Sequence, residues 1–390
     1  MAFESSWPHY SKKEISSVTK IIKLGKVNYW TGNEGVSFEK EFAEYIDTKF
    51  AIAISNGSVA LDIASKILGF QKGDEIIVTP RSYIASVSCV VNLGAKPVFA
   101  DVDLNSQNLT AKTIEKKITN KTKGIICVHL AGWPCEMDKI MKLAKKRKLK
   151  VIEDCSQAHG ATYKGKKVGS FGDIGTFSFC NDKIISTLGE GGMITTNNQK
   201  LWKLAWEYKD HGRDYYKVKN MGKRNSFKWI ISSFGSNYRL TESQSKVGRI
   251  QLGKLDYWLE KRNKFATQIY KTAYSFKSIR EIKIPKNIKH SFYRCYLFLE
   301  PNNLKSNWNR NKIINRIIFL GVPCFFGSCP EIYLEKAFKS KLKISHKRLK
   351  NAKKLGDTSI AFLVHPNMTV KDINKTRNVL KKVLREATKN

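Results

Sequence analysis

Short apolar runs alternate with segments of helical spacing over residues 50–200. AIAIS (51–55) precedes SVALDIASKIL, and EIIVTP (75–80) precedes SYIASVSCVVNLG. PVFADVD (97–103) precedes a polar, lysine-rich stretch, and GIICVHL (124–130) precedes CEMDKIMKLAKKRK. KVIEDC (150–155), DIGTFSF (173–179) and GGMITT (191–196) complete the series. Runs of strand length alternating with helices predict an α/β layered fold with a mostly parallel sheet. Ligands of such sheets bind outside the carboxyl ends of the strands, so the residues just after each run are the first candidates for chemistry.

Beyond residue 200 the pattern changes. LWKLAWEYKDHG reads as helix, and residues 241–274 read as one long helical pattern. HSFYRCYLFLE (290–300) alternates like a strand, and NRNKIINRIIFLGVPC reads as helix followed by turn. These elements predict a smaller C-terminal α+β domain. The division is a large domain over 1–250, carrying an N-terminal segment, and a small domain over 251–390.

Composition narrows the functional classes. None of the apolar runs approaches the roughly 18–20 residues that a membrane helix needs. MAFESSWPHYSKKE lacks the apolar centre of a secretory signal, so a cytoplasmic location is expected. The eight cysteines form no CxxC pair and read as reduced, mostly buried thiols. The seven histidines are dispersed, and no metal site is expected. The formal net charge is +37, but its lysines are spread along the whole chain. The densest stretch, residues 339–354, has the spacing of a solvated helix face. With no zinc-finger spacing and no RNA-binding aromatic motif, neither nucleic acid nor membrane is an expected partner. A positive field does suit an anionic substrate such as a nucleotide diphosphate.

The candidate chemistry lies after the apolar runs. Lys183 sits between an apolar stretch and the glycines of FSFCNDKIISTLGEGG (177–192), and a buried lysine must be paired or give up its proton. Asp154 ends the strand VIED, with Gln157 three residues on, and successive acids at 153 and 154 point to opposite faces of a strand. Gly57 and Ser58 open a helix and offer N–H groups and a hydroxyl to an anion. Tyr83 offers an aromatic face, and Ser178 ends a further strand. Amine, carboxylate, aromatic face and phosphate cradle together suit pyridoxal 5′-phosphate. The lysine would form a Schiff base with its aldehyde, and the carboxylate would pair with its protonated ring nitrogen. Singly, each residue also fits a plainer role: Asp154 a helix cap, Tyr83 a core residue, Ser178 a partner for backbone, Lys183 a surface turn.

The block EDCSQAHGATYKGKKVGSFGDIGTFSFCNDKIISTLGEGGMITTN resembles the sugar-nucleotide aminotransferases of the DegT/DnrJ/StrS group. So do VNYWTGNEGVSFEKEFAEY, ISNGSVAL, VHLAGWPCEMDKI, KDHGRD and GSNYRLTESQSKVGRIQL. The resemblance implies a type I aminotransferase fold, with a mostly parallel seven-stranded sheet between helices, and a homodimer sharing its active sites. It implies pyridoxal phosphate on Lys183, Asp154 at the pyridine nitrogen, Gln157 at the ring hydroxyl and Tyr83 on the ring face. Gly57, Ser58 and Ser178 would hold the phosphate, with Asn237 entering from the other subunit. Trp30, Thr31, His211 and Arg239 are candidates near the substrate. The family's NGT is NGS here, which keeps the hydroxyl, and CNDKIISTLGEGG is one residue longer than the KxxTTGEGG form, which predicts a re-aimed loop.

The activity implied is transfer of an amino group from L-glutamate to a nucleotide-linked keto sugar, first a 4-keto-6-deoxyhexose, for polysaccharide or glycoconjugate synthesis. A sugar 3-dehydratase on the same fold is the nearest alternative, and its branch places His where Lys183 stands. A non-catalytic DNA-binding regulator is the other.

Overall fold

The computed structural model describes residues 6–220, 229–340 and 347–389. Strands β1 (Phe50–Ile54), β2 (Glu75–Val78), β3 (Lys96–Phe99), β4 (Thr122–Val128) and β5 (Lys150–Asp154) come first. A two-residue pair follows, β6 (Thr162–Tyr163) and β7 (Lys166–Lys167), and then β8 (Ile174–Ser178) and β9 (Gly192–Thr196). Seven of these strands form one sheet in the order β1-β9-β8-β5-β4-β2-β3. Strands β8, β5, β4, β2 and β3 run parallel, while β9 opposes both β8 and β1. Every residue of β2, β8 and β9 is buried. A sheet covered on both faces needs apolar residues on both, which is why its strands stand out as unbroken apolar runs.

Polar caps set where the covering helices begin. Asn56 Oδ1 accepts from Val59 N–H at the start of helix Gly57–Ile67. Thr241 and Gln244 form a reciprocal capping box that starts helix Glu242–Leu252. The long pattern over 241–274 is therefore not one helix. It breaks at Gly253–Lys254, and Leu255–Ala273 follows as a second helix. Glycine is a poor helix residue, and Lys254 Nζ turns to the buried Glu14 carboxylate at 2.8 Å.

The C-terminal strands are β10 (Ile279–Arg280), β11 (Ile288–Lys289), β12 (Cys295–Leu299), β13 (Cys324–Phe325) and β14 (Ser359–Phe362). Four of them form an antiparallel sheet, β10-β12-β14-β13, while β11 pairs with β6. Strand β12 forms within HSFYRCYLFLE, as its alternation predicts, and is buried at every position. Its alternate residues serve two different cores. Tyr296 and Phe298 pack with Ile125 and Val151 of the large sheet. Cys295, Leu297 and Leu299 pack with Ile269, Ile313 and Leu384.

Helix Leu255–Ala273 likewise joins two cores. Leu255 and Leu259 pack with Phe38, Phe177 and Phe179. Phe265, Ala266, Ile269 and Ala273 pack beneath the small sheet. The helices on either side of the break at Gly253–Lys254 are thus both packed into the large-domain core, and Ile332, Tyr333 and Phe338 return to the core of the large sheet. Residues 341–346 of the lysine-dense stretch lie outside the described residues. Its described end forms helix Lys350–Thr358, which buries Ala352 and Leu355. All eight cysteines are free. Among the described residues, no helix is long and apolar enough to cross a membrane.

Phe38 is fully buried, edge-on to Phe42, in contact with Phe179, and so close to Gly248 that a Cβ there would lie 2.5 Å from its ring. Phe38→Ala is expected to destabilise the protein by roughly 3–5 kcal/mol. Urea denaturation should show a lower midpoint at unchanged slope.

Candidate active site

A cavity of about 720 Å³ opens beyond the carboxyl ends of β1, β4, β5 and β8. Residues following the first of these form its cradle. The first N–H groups of a helix have no partner within it. Asn56 takes those of Val59 and Ala60, which leaves Gly57 and Ser58, both lining the cavity. The cradle is tightly closed from behind: a Cβ on Gly57 would lie 2.5 Å from the Ser178 Cβ. Only glycine fits there, and the close approach brings the Ser58 and Ser178 side chains to the same wall.

The successive acids at the end of β5 take opposite faces, as strand geometry requires. Asp154 faces the cavity. Its Oδ2 accepts from the Ser86 hydroxyl at 2.7 Å and its Oδ1 from Ser156 N–H at 3.1 Å. Glu153 faces away and is fully buried. Its oxygens accept from Gly169, Phe171 and Gly172 N–H, and the fourth partner is His129. His129 Nδ1 accepts from Cys135 N–H, so Nε2 carries the proton and donates to Glu153 at 3.1 Å. Burial alone would push the Glu153 carboxyl up. His129 and the converging N–H groups outweigh that and hold it below the usual 4.5. Contrary to the expectation of dispersed ligands, His129, Glu153 and Cys155 bring possible metal-ligating atoms within 4.8 Å of one another. The hydrogen bonds just described already occupy the carboxylate and both ring nitrogens.

Lys183 leaves a closed loop between β8 and β9. Phe179 N–H donates to Gly191 O and Thr187 N–H donates back to Phe179 O, so the base of the loop is tied across. Ile184 and Ile185 anchor it in the core. Trp7 Nε1 donates to Lys183 O at 2.8 Å, and Trp7 is itself packed against Trp258 and His365. At the loop's exposed tip Leu188 (φ 59°) and Gly189 (φ 101°) both adopt left-handed conformations. Leu188 bulges outward, and the lysine side of the loop stays pinned.

The Lys183 side chain is 17% exposed. Its Nζ lies 3.2 Å from Asp182 Oδ1 and 5.0 Å from the centroid of the Tyr293 ring. Burial disfavours its charge, but Tyr293 and the Asp182 carboxylate outweigh burial and hold its pKa above the ordinary 10.5. His159, behind the loop against Phe177 and Phe179, is fully buried. Burial, reinforced by the Lys183 and Arg262 charges, pushes its pKa down to about 3, so it is neutral.

One chain therefore brings Lys183, Asp154, Gln157, Ser178, Gly57, Ser58 and Tyr83 to one cavity. Gln157 Oε1 accepts from Ala131 N–H, and Tyr83 stands 70% exposed at the mouth. The other candidates lie outside this cavity within the single chain. Trp30 packs edge-on to Trp206 in a separate concavity, and the Thr31 hydroxyl donates to Asn28 O. The Arg239 guanidinium is spent on the fully buried Asp210, opposite which Asn237 forms a β-bridge. His211 is exposed on a turn with φ 60°. Sequence reasoning missed Ser86, Asp182, Tyr293 and Arg294, which also line the cavity. Asp182 was signalled by its place beside Lys183, whereas Tyr293 and Arg294 arrive from more than a hundred residues away with no local mark.

An amine, a carboxylate and a helix-terminal cradle in one cavity can bond a carbonyl, pair a protonated ring nitrogen and hold a phosphate. Comparison with known proteins agrees with that chemistry. The sequence profile of the DegT/DnrJ/EryC1/StrS aminotransferase family matches residues 8–382. A GDP-perosamine synthase of Escherichia coli O157:H7 is 41% identical over 263 residues, 67% of this chain and 68% of that protein. A dTDP-3-amino-3,6-dideoxy-alpha-D-galactopyranose transaminase of Aneurinibacillus thermoaerophilus is 39% identical over 257 residues, 66% and 67% of the two chains. The X-ray structure of an aminotransferase from Psychrobacter cryohalolentis superposes with a TM-score of 0.94 at 47% identity, covering 98% of this chain and 99% of that one.

Glu153→Gln would turn an amide nitrogen toward donors, at an expected cost of about 3–5 kcal/mol in stability. The sign of the pH dependence follows from the lowered carboxyl. Its stabilisation is complete above pH 4.5 and is lost as pH falls through the lower folded value. Denaturation midpoints measured on acidification should fall in the wild type and fall less in the variant.

Proposed function

The chain belongs to the DegT/DnrJ/EryC1/StrS aminotransferase family, and from that membership we propose that it aminates a nucleotide-linked keto sugar, using pyridoxal 5′-phosphate and an amino donor. The observation that carries this reading is the meeting of the Lys183 amine, the Asp154 carboxylate and the Gly57–Ser58 helix start in one cavity. The residues present fit the cofactor. Gly57 leaves no room for a Cβ, the cradle supplies N–H and hydroxyl donors, and Asp154 is oriented by two hydrogen bonds of its own.

When bound, pyridoxal phosphate supplies an aldehyde that links to amines and a ring that accepts the electrons of a breaking bond. The chain's own residues do the rest. Lys183 Nζ is the amine that would hold the cofactor through its aldehyde, and it would be released when an amino donor binds. Once free, Nζ takes the proton from the donor's α-carbon, and in the second half-reaction it returns one to the sugar carbon that gains nitrogen. Asp154 would keep the pyridine nitrogen protonated, Gln157 would bond the ring hydroxyl and Tyr83 would cover the ring. Gly57, Ser58 and Ser178 would bind the phosphate, completed by Asn237 of a second subunit.

The reading extends to L-glutamate as donor, a 4-keto-6-deoxyhexose as acceptor, and a cytoplasmic homodimer making amino sugars for polysaccharides. Eight free thiols suit a reducing compartment, and the net charge of +37 suits an anionic nucleotide sugar.

The test is incubation with glutamate, pyridoxal phosphate and a panel of nucleotide keto sugars. An amino sugar identified by mass and NMR is expected, whereas a deoxygenated sugar without new nitrogen would point to the dehydratase branch. Lys183→Ala is expected to lose both turnover and the visible absorbance of the lysine-bound cofactor. Full activity in that variant would remove Lys183 from its role. Gly57→Ala, which forces the cradle apart, should weaken cofactor binding at least about tenfold in a fluorescence titration.

A further inference from the structure

We infer that Asp182 is a positioning residue for Lys183: its carboxylate is the post on which the free Lys183 ammonium rests, and Tyr293 and Arg294 hold that post. The inference rests on the reading of Lys183 as the cofactor lysine. The geometry is a short chain of side chains across the cavity. Lys183 Nζ lies 3.2 Å from Asp182 Oδ1. The other oxygen, Oδ2, accepts from the Tyr293 hydroxyl, and an Arg294 guanidinium nitrogen stands 3.4 Å from it. Arg294 is in turn seated over the Tyr293 ring, 4.7 Å from its centroid. The carboxylate is thus fixed from two sides, and one oxygen stays turned to the amine.

Such a post answers a problem set by the chemistry. The amine must leave its covalent partner in every cycle and be found again. A lysine has four rotatable carbons, and its free ammonium roams at a gain of up to about 2 kcal/mol in rotamer entropy. A fixed carboxylate beside it confines that motion. It also stabilises the ammonium that forms when Nζ has taken a proton from the donor's α-carbon. Asp182 touches no reacting atom of the substrate in this scheme and acts only through Lys183. The other groups facing the amine do not replace it. Cys180 is a weaker partner, the buried His159 is neutral because burial and the amine's own charge keep it unprotonated, and Arg294 is a cation. Asp154 and Glu190 also line the cavity. The hydrogen-bond partners of Asp154 are Ser86 and Ser156, while Glu190 faces Cys180. Asp182 itself is held below the usual carboxylate range. Burial pushes it up, but Lys183, the Tyr293 hydroxyl and Arg294 together pull it further down.

The test reads the proton affinity of one amine in the full-length, cofactor-free protein. Acetic anhydride labelling is carried out across the neutral to alkaline range, and the Lys183 peptide is quantified by mass spectrometry. Asp182→Asn is expected to lower the titration midpoint of Lys183 by about one pH unit or more, a tenfold loss of proton affinity. Asp182→Glu, which keeps the charge, should hold the midpoint near the wild-type value. If the Asn variant does not fold, Asp182→Ser removes the same charge and is expected to give the same shift. An unchanged midpoint on loss of the charge overturns the inference, as does a Glu variant that shifts as far as Asn. Because no cofactor is added, the outcome is independent of whether Lys183 proves to be the cofactor lysine, which Lys183→Ala decides separately.

Discussion

A charged amine set among apolar side chains is unstable unless something adjacent carries the opposite charge. Lys183 meets that constraint, and much of the surrounding architecture follows from it. Its loop has to be rigid, since a wandering ammonium would find water. Two isoleucines bury the loop's far side, two backbone hydrogen bonds tie its base, and an indole holds the lysine's own carbonyl. The carboxylate that pairs with the amine is the preceding residue, so any movement of the loop carries both together. What distinguishes this site from a surface ion pair is that the C-terminal part of the chain reaches over to hold the carboxylate. Exposed pairs contribute little, whereas a fixed pair at a half-closed cavity sets the state of the group beside it.

The large sheet could be read along the chain because burial on both faces leaves an unbroken apolar run, and each run contains a strand, although the one in PVFADVD stops at Phe99. Glycine and serine after AIAIS, and the acid after VIE, marked the cavity because parallel strands deliver their carboxyl ends to one edge. The C-terminal part was less legible. Strand β12 was legible as a strand, but that its two faces feed two separate cores was not. The helical pattern over 241–274 ran straight through Gly253, where a tertiary contact of Lys254 ends one helix and begins the next. No periodicity in the segment could reveal that contact. Tyr293 and Arg294 escaped for the same reason: their role exists only in three dimensions.

Glu153 and Asp154 show how far one residue of register reaches. Both are acids, and both end the same strand. The first is enclosed by four donors, joining the loop 169–172 and His129 to the end of the strand. The second meets a hydroxyl and one N–H and looks into the cavity. Nothing in their chemistry separates them. The pleat does, by sending one side chain to each face.

The indole at position 7 has a consequence for the order in which the protein is made. It is clasped by Trp258 and His365, residues that leave the ribosome long after it does. At roughly 5–20 residues per second, the interval between them lasts tens of seconds. During that time the nascent chain carries a loop whose back support has no place to dock. The support behind the loop is therefore completed late in synthesis, when distant stretches of polypeptide close on one another.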